Sequence, residues 1–175
     1  MKQLGDRKFL PYISCNKIQQ RIAELGNEIN IAYEGKELVI ISVLNGSFIF
    51  TADLVRQIEI PVDLRFIRVS SYQSEQSSGK VTQILGLTGA IKDKHVLVIE
   101  DIIDTGLTIA EIHNQLIEQQ PASIEVASLL LKEDVYRGKI KINYLGFAIP
   151  NRFVVGYGLD LDGFGRNWPE IYQVV

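Results

Sequence analysis

A chain of 175 residues, of which 46% are apolar, is long enough to bury one substantial core, so we expect a single domain over residues 1–175. The net charge of −3 and the scattered Lys and Arg residues argue against a nucleic-acid-binding protein, and no apolar run approaches the ~18 residues of a membrane span. A single cysteine, Cys15, cannot form an internal disulfide, and residues 1–9 lack the apolar core of a signal peptide. These features predict a soluble cytoplasmic protein.

Hydrophobic periodicity divides the chain into alternating helices and strands. The predicted elements, in chain order, are a helix over residues 16–31, a strand over 38–44, a helix over 48–58, strands over 62–69 and 96–99, a helix ending before residue 121, and strands over 124–131, 144–149 and 153–157. Such alternation predicts the α/β class, with an open, mostly parallel sheet flanked by helices. Because ligands bind at the carboxyl ends of such strands, we expect the loops after several strands to converge on one site.

The most informative segment is residues 96–108, where an apolar run meets two adjacent acids and then a small polar loop. Free backbone N–H groups at a helix N-terminus bind anions, and Gly106 lets the backbone approach a phosphate closely. Glu100 and Asp101 would repel that phosphate, and they suit hydroxyl groups or a divalent cation instead. The segment therefore predicts a site for a phosphorylated sugar.

Other motifs fit less well. Gly156-Tyr157-Gly158 lacks the third Gly of a dinucleotide-binding fingerprint, and Ser74 stands where a P-loop ending in Gly79-Lys80 needs its first Gly. Asp104-Thr105-Gly106 is also the triplet of aspartic proteases, but here it leads into a helix within an α/β pattern. None of these alternatives explains the two acids that precede the loop.

Residues 100–106, with the sequence Glu-Asp-Ile-Ile-Asp-Thr-Gly, resemble the motif that binds 5-phosphoribosyl 1-pyrophosphate (PRPP) in type I phosphoribosyltransferases, and they look like its hypoxanthine-guanine branch. The resemblance extends over roughly residues 38–168. It implies a sheet with a small hood region and a Mg²⁺-assisted transfer of the phosphoribosyl group to a 6-oxopurine, hypoxanthine or guanine. The products would be IMP or GMP and pyrophosphate, and the assembly would be a homodimer or homotetramer.

The resemblance also implies a set of PRPP-binding residues: Asn45, Gly46, Ser71, Tyr72, Glu100, Asp101, Asp104, Thr105, Gly106, Leu107, Thr108 and Arg166. The 5′-phosphate would rest on the amides and hydroxyls of residues 104–108. Glu100 and Asp101 would hold the ribose hydroxyls, directly or through magnesium. Arg166 would balance the charge of the pyrophosphate.

Two further loops would complete the PRPP site. Asn45 and Gly46 fall on the family's pyrophosphate loop, where relatives have a non-proline cis peptide bond. Many relatives carry Lys or Arg in place of Asn45, so we expect this residue to contribute its main chain only. Ser71 and Tyr72 open a polar loop over residues 70–80 that is similar to the family's flexible lid, which would exclude water during transfer.

The implied purine-binding residues are Lys132, Phe153, Val154 and Asp160, and the implied magnesium ligands are Glu100, Asp101 and Asp160. Lys132 would donate to the purine O6, Phe153 would stack on the ring, and the Val154 backbone would bind the purine edge. Asp104 would be the catalytic base that takes or shares the N7 proton.

Two alternatives to this function stay open at the level of sequence. A PRPP-sensing regulator could keep the fold without catalysis, although this chain shows no basic patch for nucleic acid. Transfer to another base, such as xanthine, adenine, orotate or uracil, is the second alternative, and Lys132 with the Phe153–Val154 segment favours a 6-oxopurine.

Overall fold

The computed structural model describes residues 1–71 and 81–175. In chain order the elements are β1 (Lys2–Leu4), β2 (Arg7–Ile13), α1 (Cys15–Ala32), β3 (Leu38–Leu44), α2 (Phe48–Val55), β4 (Val62–Ser71), β5 (Val81–Leu85), β6 (His95–Ile103), α3 (Leu107–Ile117), β7 (Ser123–Lys132), β8 (Tyr144–Ile149), β9 (Val154–Val155) and β10 (Ile171–Val174). No helix within these two ranges has the length and apolar character needed to cross a bilayer.

Six strands form the larger sheet, in the order β5-β4-β3-β6-β7-β8. The five strands β4, β3, β6, β7 and β8 run parallel, whereas β5 pairs antiparallel with β4 at one edge. Helices α1 and α2 pack on one face of this sheet and α3 packs on the other, so β3 and the centre of β6 are buried on both sides. The predicted α/β class with a mostly parallel sheet is confirmed.

Four short strands form a second, antiparallel sheet in the order β1-β2-β10-β9, which we call the hood. Its own small core contains Phe9, Val155 and Tyr172, with Trp168 packed against them. Ile13 and Ile171 also belong to the core between the larger sheet and α1, so the hood is continuous with the main body. The resemblance implied a small hood region, and this sheet provides it.

The predicted elements differ from the structure mainly at their ends. β3 and β8 have the predicted bounds, and α1 extends the predicted helix by one residue at each end. β6 runs on to Ile103, because its neighbour β7 pairs with it that far. α2 ends at Val55, three residues early, where the amides of Gln57 and Ile58 bond to the third residue before them and tighten the final turn. β9 has two residues, and β1, β2, β5 and β10 were not predicted.

Candidate active site

Three neighbouring parallel strands deliver the candidate site residues to one edge of the larger sheet. β3 ends at Leu44, β6 ends at Ile103 and β7 ends at Lys132. Because all three run in the same direction, the loops that follow β3 and β6 lie beside the last residue of β7. This is the carboxyl edge at which parallel α/β sheets bind ligands.

Glu100 and Asp101 lie inside β6 rather than after it. Side chains alternate along a strand, so these two neighbours face opposite sides of the sheet. Glu100 lines a cavity at the start of α3, and the Asp101 carboxylate lies against Gly46 in the loop after β3. Glu100 is 8% exposed, and this burial, followed by the negative charge of Asp101, raises its pKa well above the usual value.

Asp101 is held tightly in its pocket. A Cβ at residue 46 would lie 1.5 Å from Asp101 Oδ2, so only glycine allows this contact. Burial raises the pKa of Asp101 to about 6, and the charge of Asp160 acts in the same direction. The Ile102 amide, which donates to Oδ1 at 2.9 Å, and the Arg166 guanidinium oppose that rise. A carboxyl group whose ionised form is disfavoured in this way is typical of a functional site.

Residues 104–108 form the predicted loop between β6 and α3, and with Glu100 they line a cavity of about 180 Å³. Gly106 has φ 88° and immediately precedes α3. A Cβ at Gly106 would lie 2.5 Å from the Tyr136 ring, so glycine is required here by both conformation and space. Leu107 and Thr108, the first residues of α3, are exposed, and the amides of a first helical turn have no partner within the helix, so they suit an anion.

The loop after β3 begins with a cis peptide bond between Leu44 and Asn45, as the resemblance implied. Buried hydroxyl groups connect this loop to β3 and α2: Ser42 Oγ lies 2.7 Å from both Ser47 Oγ and Thr51 Oγ1. Ser47 also donates to the Val43 carbonyl oxygen. Sequence reasoning missed this support, although three hydroxyl residues within ten positions of a mostly apolar stretch were a usable signal.

Lys132 and Asp104 form an ion pair. Lys132 Nζ lies 3.0 Å from Oδ1 and 3.1 Å from Oδ2 of Asp104. The parallel register pairs Ile103 with Leu131, which places the next residue of each strand side by side. The Lys132 side chain is 12% exposed and that of Asp104 is 52% exposed, so the acid faces the open side of the pair.

The hood supplies the two residues predicted to contact a purine ring. Phe153 is 37% exposed, its ring centroid lies 6.4 Å from that of Phe9, and the Arg7 guanidinium carbon lies 5.3 Å from its centroid. Val154 is buried in β9, which among the described strands pairs with β10 alone and so forms one edge of the hood sheet. An edge strand presents backbone N–H and C=O groups on its unpaired side, and a base edge can bind to them.

Asp160 and Arg166 also come together, at 2.7 Å between Oδ1 and Nη2. Arg166 donates to the Gly158 carbonyl oxygen at 2.7 Å, and Asp160 Oδ2 accepts from the Gly163 amide at 2.7 Å. Asp160 therefore fixes the Arg166 guanidinium, and both charges act on the pKa of Asp101. Within residues 1–71 and 81–175, no group of three or more His, Cys, Asp or Glu side chains is arranged to hold a metal ion.

Ser71 is the last residue of β4, which extends three residues beyond the point where its neighbour β3 ends. Its backbone therefore lies at the same carboxyl edge as the other predicted site residues. Tyr72 and the rest of the predicted lid, through residue 80, lie outside the described residues.

Comparison with known proteins gives consistent matches. The phosphoribosyl transferase domain model matches residues 14–162. A hypoxanthine-guanine phosphoribosyltransferase of Aquifex aeolicus is 38% identical over 99% of both chains, and a hypoxanthine phosphoribosyltransferase of Haemophilus influenzae is 42% identical over 93% of both. The crystal structure of a hypoxanthine-guanine phosphoribosyltransferase from Bacillus anthracis is similar with a TM-score of 0.88 and 36% identity, covering 97% of this chain and 100% of that one.

Proposed function

The chain belongs to the phosphoribosyltransferase family, in its hypoxanthine-guanine branch, and we propose that it transfers the phosphoribosyl group of PRPP to hypoxanthine and guanine. The products are IMP or GMP and pyrophosphate, so the enzyme serves purine salvage. The observation that carries the proposal is the ion pair of Lys132 with Asp104, which adjoins the anion-binding loop over residues 104–108. A phosphate loop and the two groups that a 6-oxopurine needs occupy one site.

The 5′-phosphate of PRPP binds at the loop over residues 104–108. The N-terminus of α3 supplies backbone donors and a positive dipole, and Thr105 and Thr108 supply hydroxyls. Glu100 faces the same cavity, where its carboxyl group accepts hydrogen bonds from the ribose hydroxyls. The sugar is thereby fixed at both ends, which holds its C1 carbon in position for displacement.

Pyrophosphate leaves on the opposite face of β6. There the main chain of Asn45 and Gly46 supplies donors, and Arg166 balances the negative charge that develops on the leaving group. Asp160 holds the guanidinium in place at 2.7 Å. Asn45 brings no positive charge to this site, so Arg166 carries a larger share of the charge balance than it would beside a lysine.

Magnesium is the cation that suits this donor set. Asp101 and Glu100 are buried carboxyl groups whose ionised forms are disfavoured by burial, so a divalent cation would stabilise them as carboxylates. Asp101 and the nearby Asp160 would hold the ion on one face of β6 together with oxygens of the substrate, which is how Mg²⁺ usually binds, whereas Glu100 would contact an ion on the other face, beside the ribose hydroxyls. When bound, it neutralises charge on the diphosphate and so makes pyrophosphate a better leaving group.

The purine binds between the hood and the carboxyl edge of the larger sheet. In a 6-oxopurine, O6 and N7 lie on one edge of the base. Lys132 donates to O6 while Asp104 takes or shares the N7 proton as N9 attacks the ribose. Phe153 stacks on the ring, and the backbone of Val154 contacts the opposite edge. The Lys132–Asp104 ion pair preorganises the two groups at the spacing this edge requires.

One assay tests the proposal directly. The purified protein is incubated with PRPP and Mg²⁺ and with hypoxanthine, guanine, xanthine or adenine in turn, and nucleotide formation is followed. We expect IMP and GMP to form, with little product from adenine. A folded sample that makes no nucleotide from any 6-oxopurine refutes the proposal, and PRPP binding without turnover would favour a sensing regulator instead.

Compartment and assembly belong to the same proposal. We infer a cytoplasmic enzyme, because its single cysteine, Cys15, is a free thiol suited to a reducing compartment. We also infer a homodimer or homotetramer, following the family resemblance. Sedimentation at micromolar concentration distinguishes these assemblies from a monomer of 19.7 kDa.

A further inference from the structure

A partly buried hydrogen bond joins the hood to the helices beside the active site. The hydroxyl of Tyr157 donates to Oδ2 of Asp53 in α2, and Gln19 of α1 donates to the same oxygen at 2.7 Å. Arg56 forms an ion pair with the other carboxylate oxygen. Tyr157 is 3% exposed and lies 104 residues from Asp53 along the chain. Three separate parts of the chain therefore meet at one carboxylate.

Both partners keep the protonation states that this bond needs. Burial raises the pKa of Asp53, but hydrogen bonds from Tyr157, Gln19 and Arg56 outweigh it and hold the pKa below its usual value. Burial is also the main cause that raises the pKa of Tyr157, followed by its bond to Asp53. At neutral pH the tyrosine remains a donor and the aspartate remains an acceptor.

Tyr157 belongs to a loop that is held together by its own backbone. Its φ of 51° is uncommon for a bulky residue and persists only where the surroundings enforce it. Its amide donates to the Trp168 carbonyl at 2.8 Å, and the amide of Gly158 donates to the Arg166 carbonyl at 2.9 Å. The segment over residues 156–168, which we call the hood loop, is thus cross-linked by its own hydrogen bonds, and it carries Asp160 and Arg166.

The hood loop rests on the loop that follows β3. Gly158 has φ 99°, and a Cβ there would lie 2.0 Å from the carbonyl oxygen of Gly46. Gly46 in turn touches the Asp101 carboxylate so closely that no side chain fits. A displacement of the hood loop would therefore reach both Gly46 and Arg166, the two groups assigned to the diphosphate.

We propose that Tyr157 and Asp53 are positioning residues for the diphosphate half of the PRPP site. Their hydrogen bond, which we call the clasp, holds the hood loop against the loop after β3. This inference rests on the proposed function and extends it to residues that do not touch substrate. The base-contacting segment is held separately, because β9 pairs with β10. Loss of the clasp should therefore weaken the binding of PRPP and of pyrophosphate more than the binding of hypoxanthine.

The variant Tyr157→Phe removes the hydroxyl alone, and Tyr144→Phe is its matched control. Tyr144 is similarly buried and donates to Glu125 at 2.9 Å, but it lies at the amino end of β8, away from the site. We expect Tyr157→Phe to raise KM for PRPP, and KM for pyrophosphate in the reverse reaction, by about tenfold. KM for hypoxanthine should change less than twofold, and Tyr144→Phe should leave all three constants unchanged.

Two variants of Asp53 distinguish the effect of its hydrogen bond with Tyr157 from the effect of its negative charge. Asp53→Asn keeps an acceptor for Tyr157 and should retain most of the PRPP affinity, whereas Asp53→Ala should lower that affinity at least as much as Tyr157→Phe, because it also removes the bonds from Gln19 and Arg56. The double variant Tyr157→Phe/Asp53→Ala should bind PRPP no more weakly than Asp53→Ala, because the clasp is already absent from that single variant.

Several results would overturn the clasp. These are an unchanged PRPP constant in Tyr157→Phe, an equal loss in Tyr144→Phe, or a proportional loss for all substrates. If Tyr157→Phe and Asp53→Ala both fail to fold while Tyr144→Phe folds, the bond serves stability and the inference falls. PRPP affinity is also measured by calorimetry in every variant. A wild type without turnover would refute the proposed function, and the calorimetric affinities would still decide the clasp.

Discussion

The two ends of the larger sheet treat their carboxyl groups in opposite ways. At the amino end, Glu125 accepts hydrogen bonds from Tyr33 at 2.7 Å and from Tyr144 at 2.9 Å. At the carboxyl end, burial raises the pKa of both Glu100 and Asp101. One end satisfies its charge within the protein, whereas the other keeps carboxyl groups for which ionisation is unfavourable.

This difference separates stability from function. Hydrogen-bonded buried groups contribute to the free energy of unfolding, and a buried acid with a raised pKa reduces it at neutral pH. Proteins tolerate such a loss where a ligand supplies the missing partner. Substitutions at the amino end should therefore lower stability and leave catalysis intact. Substitutions of the acids at the carboxyl end should impair catalysis without lowering stability.

The largest effect is expected from Asp104→Asn at the carboxyl end. The substitution removes the base but keeps the size of the side chain and the backbone donors of the phosphate loop. We expect kcat to fall by ~10²–10⁴-fold, with little change in KM for PRPP. Steady-state kinetics with hypoxanthine measures both constants. A variant with nearly full kcat would show that Asp104 shapes the loop and does not move the proton.

Asp101→Asn should stabilise the ligand-free protein. With a folded pKa of about 6 and an ordinary value of 3.8, the folded state keeps a proton between these pH values that the unfolded state has lost. Stability from this group therefore falls as pH rises through that window, and by pH 8 the loss is about 2–3 kcal/mol. Urea unfolding should show the variant more stable than wild type at pH 8 and similar near pH 3.5. Equal stabilities at pH 8 would contradict the contrast between the two ends.

Lys132→Ala should alter the choice of base. The ammonium group donates to O6 of a 6-oxopurine and meets the donor amino group of adenine unfavourably. We expect kcat/KM for hypoxanthine to fall by about 10–100-fold, and the ratio of hypoxanthine to adenine activity to shrink. Competition between the two bases measures this ratio. If both activities fell in proportion, Lys132 would support the fold or the PRPP site rather than select the base.

The smallest effect is expected from Tyr33→Phe at the amino end. Glu125 would keep its bond from Tyr144 and lose one donor. We expect the free energy of unfolding to fall by about 1 kcal/mol, with kcat and both KM values unchanged. Thermal unfolding and kinetics on the same preparation test this. A change in kcat would show that the amino end is coupled to the site.

The sequence allowed the larger sheet to be predicted well, because buried parallel strands such as residues 38–44 are continuous apolar runs. The hood strands β1, β2 and β10 were missed for a physical reason, whereas β9 was predicted as a longer strand over residues 153–157. β2 buries only Phe9 and Ile13 fully, contains Pro11 and shows no period-two alternation, so it carries no strand signal. β10 is a four-residue strand that forms only because β2 and β9 flank it.

Predictions about the site depended on how local each contact is. The phosphate loop is contiguous, so residues 104–108 could be assigned from the sequence and the resemblance. That Lys132 would reach Asp104 depends on the parallel register of β6 and β7, which no local pattern specifies. The bond between Asp53 and Tyr157 joins residues 104 positions apart, and neither residue stood out in its own segment.

The pairing of β2 with β10 also bears on the order in which the two half-sites form. The strands and loops that hold PRPP lie mostly between residues 38 and 132, whereas β9 pairs with β10, and β10 pairs with β2. On a ribosome, β2 pairs locally with β1, but its pairing with β10 waits until residues 171–174 emerge, and such long-range closure is slow. The nascent chain should acquire a phosphate-binding surface first and a purine-binding surface last.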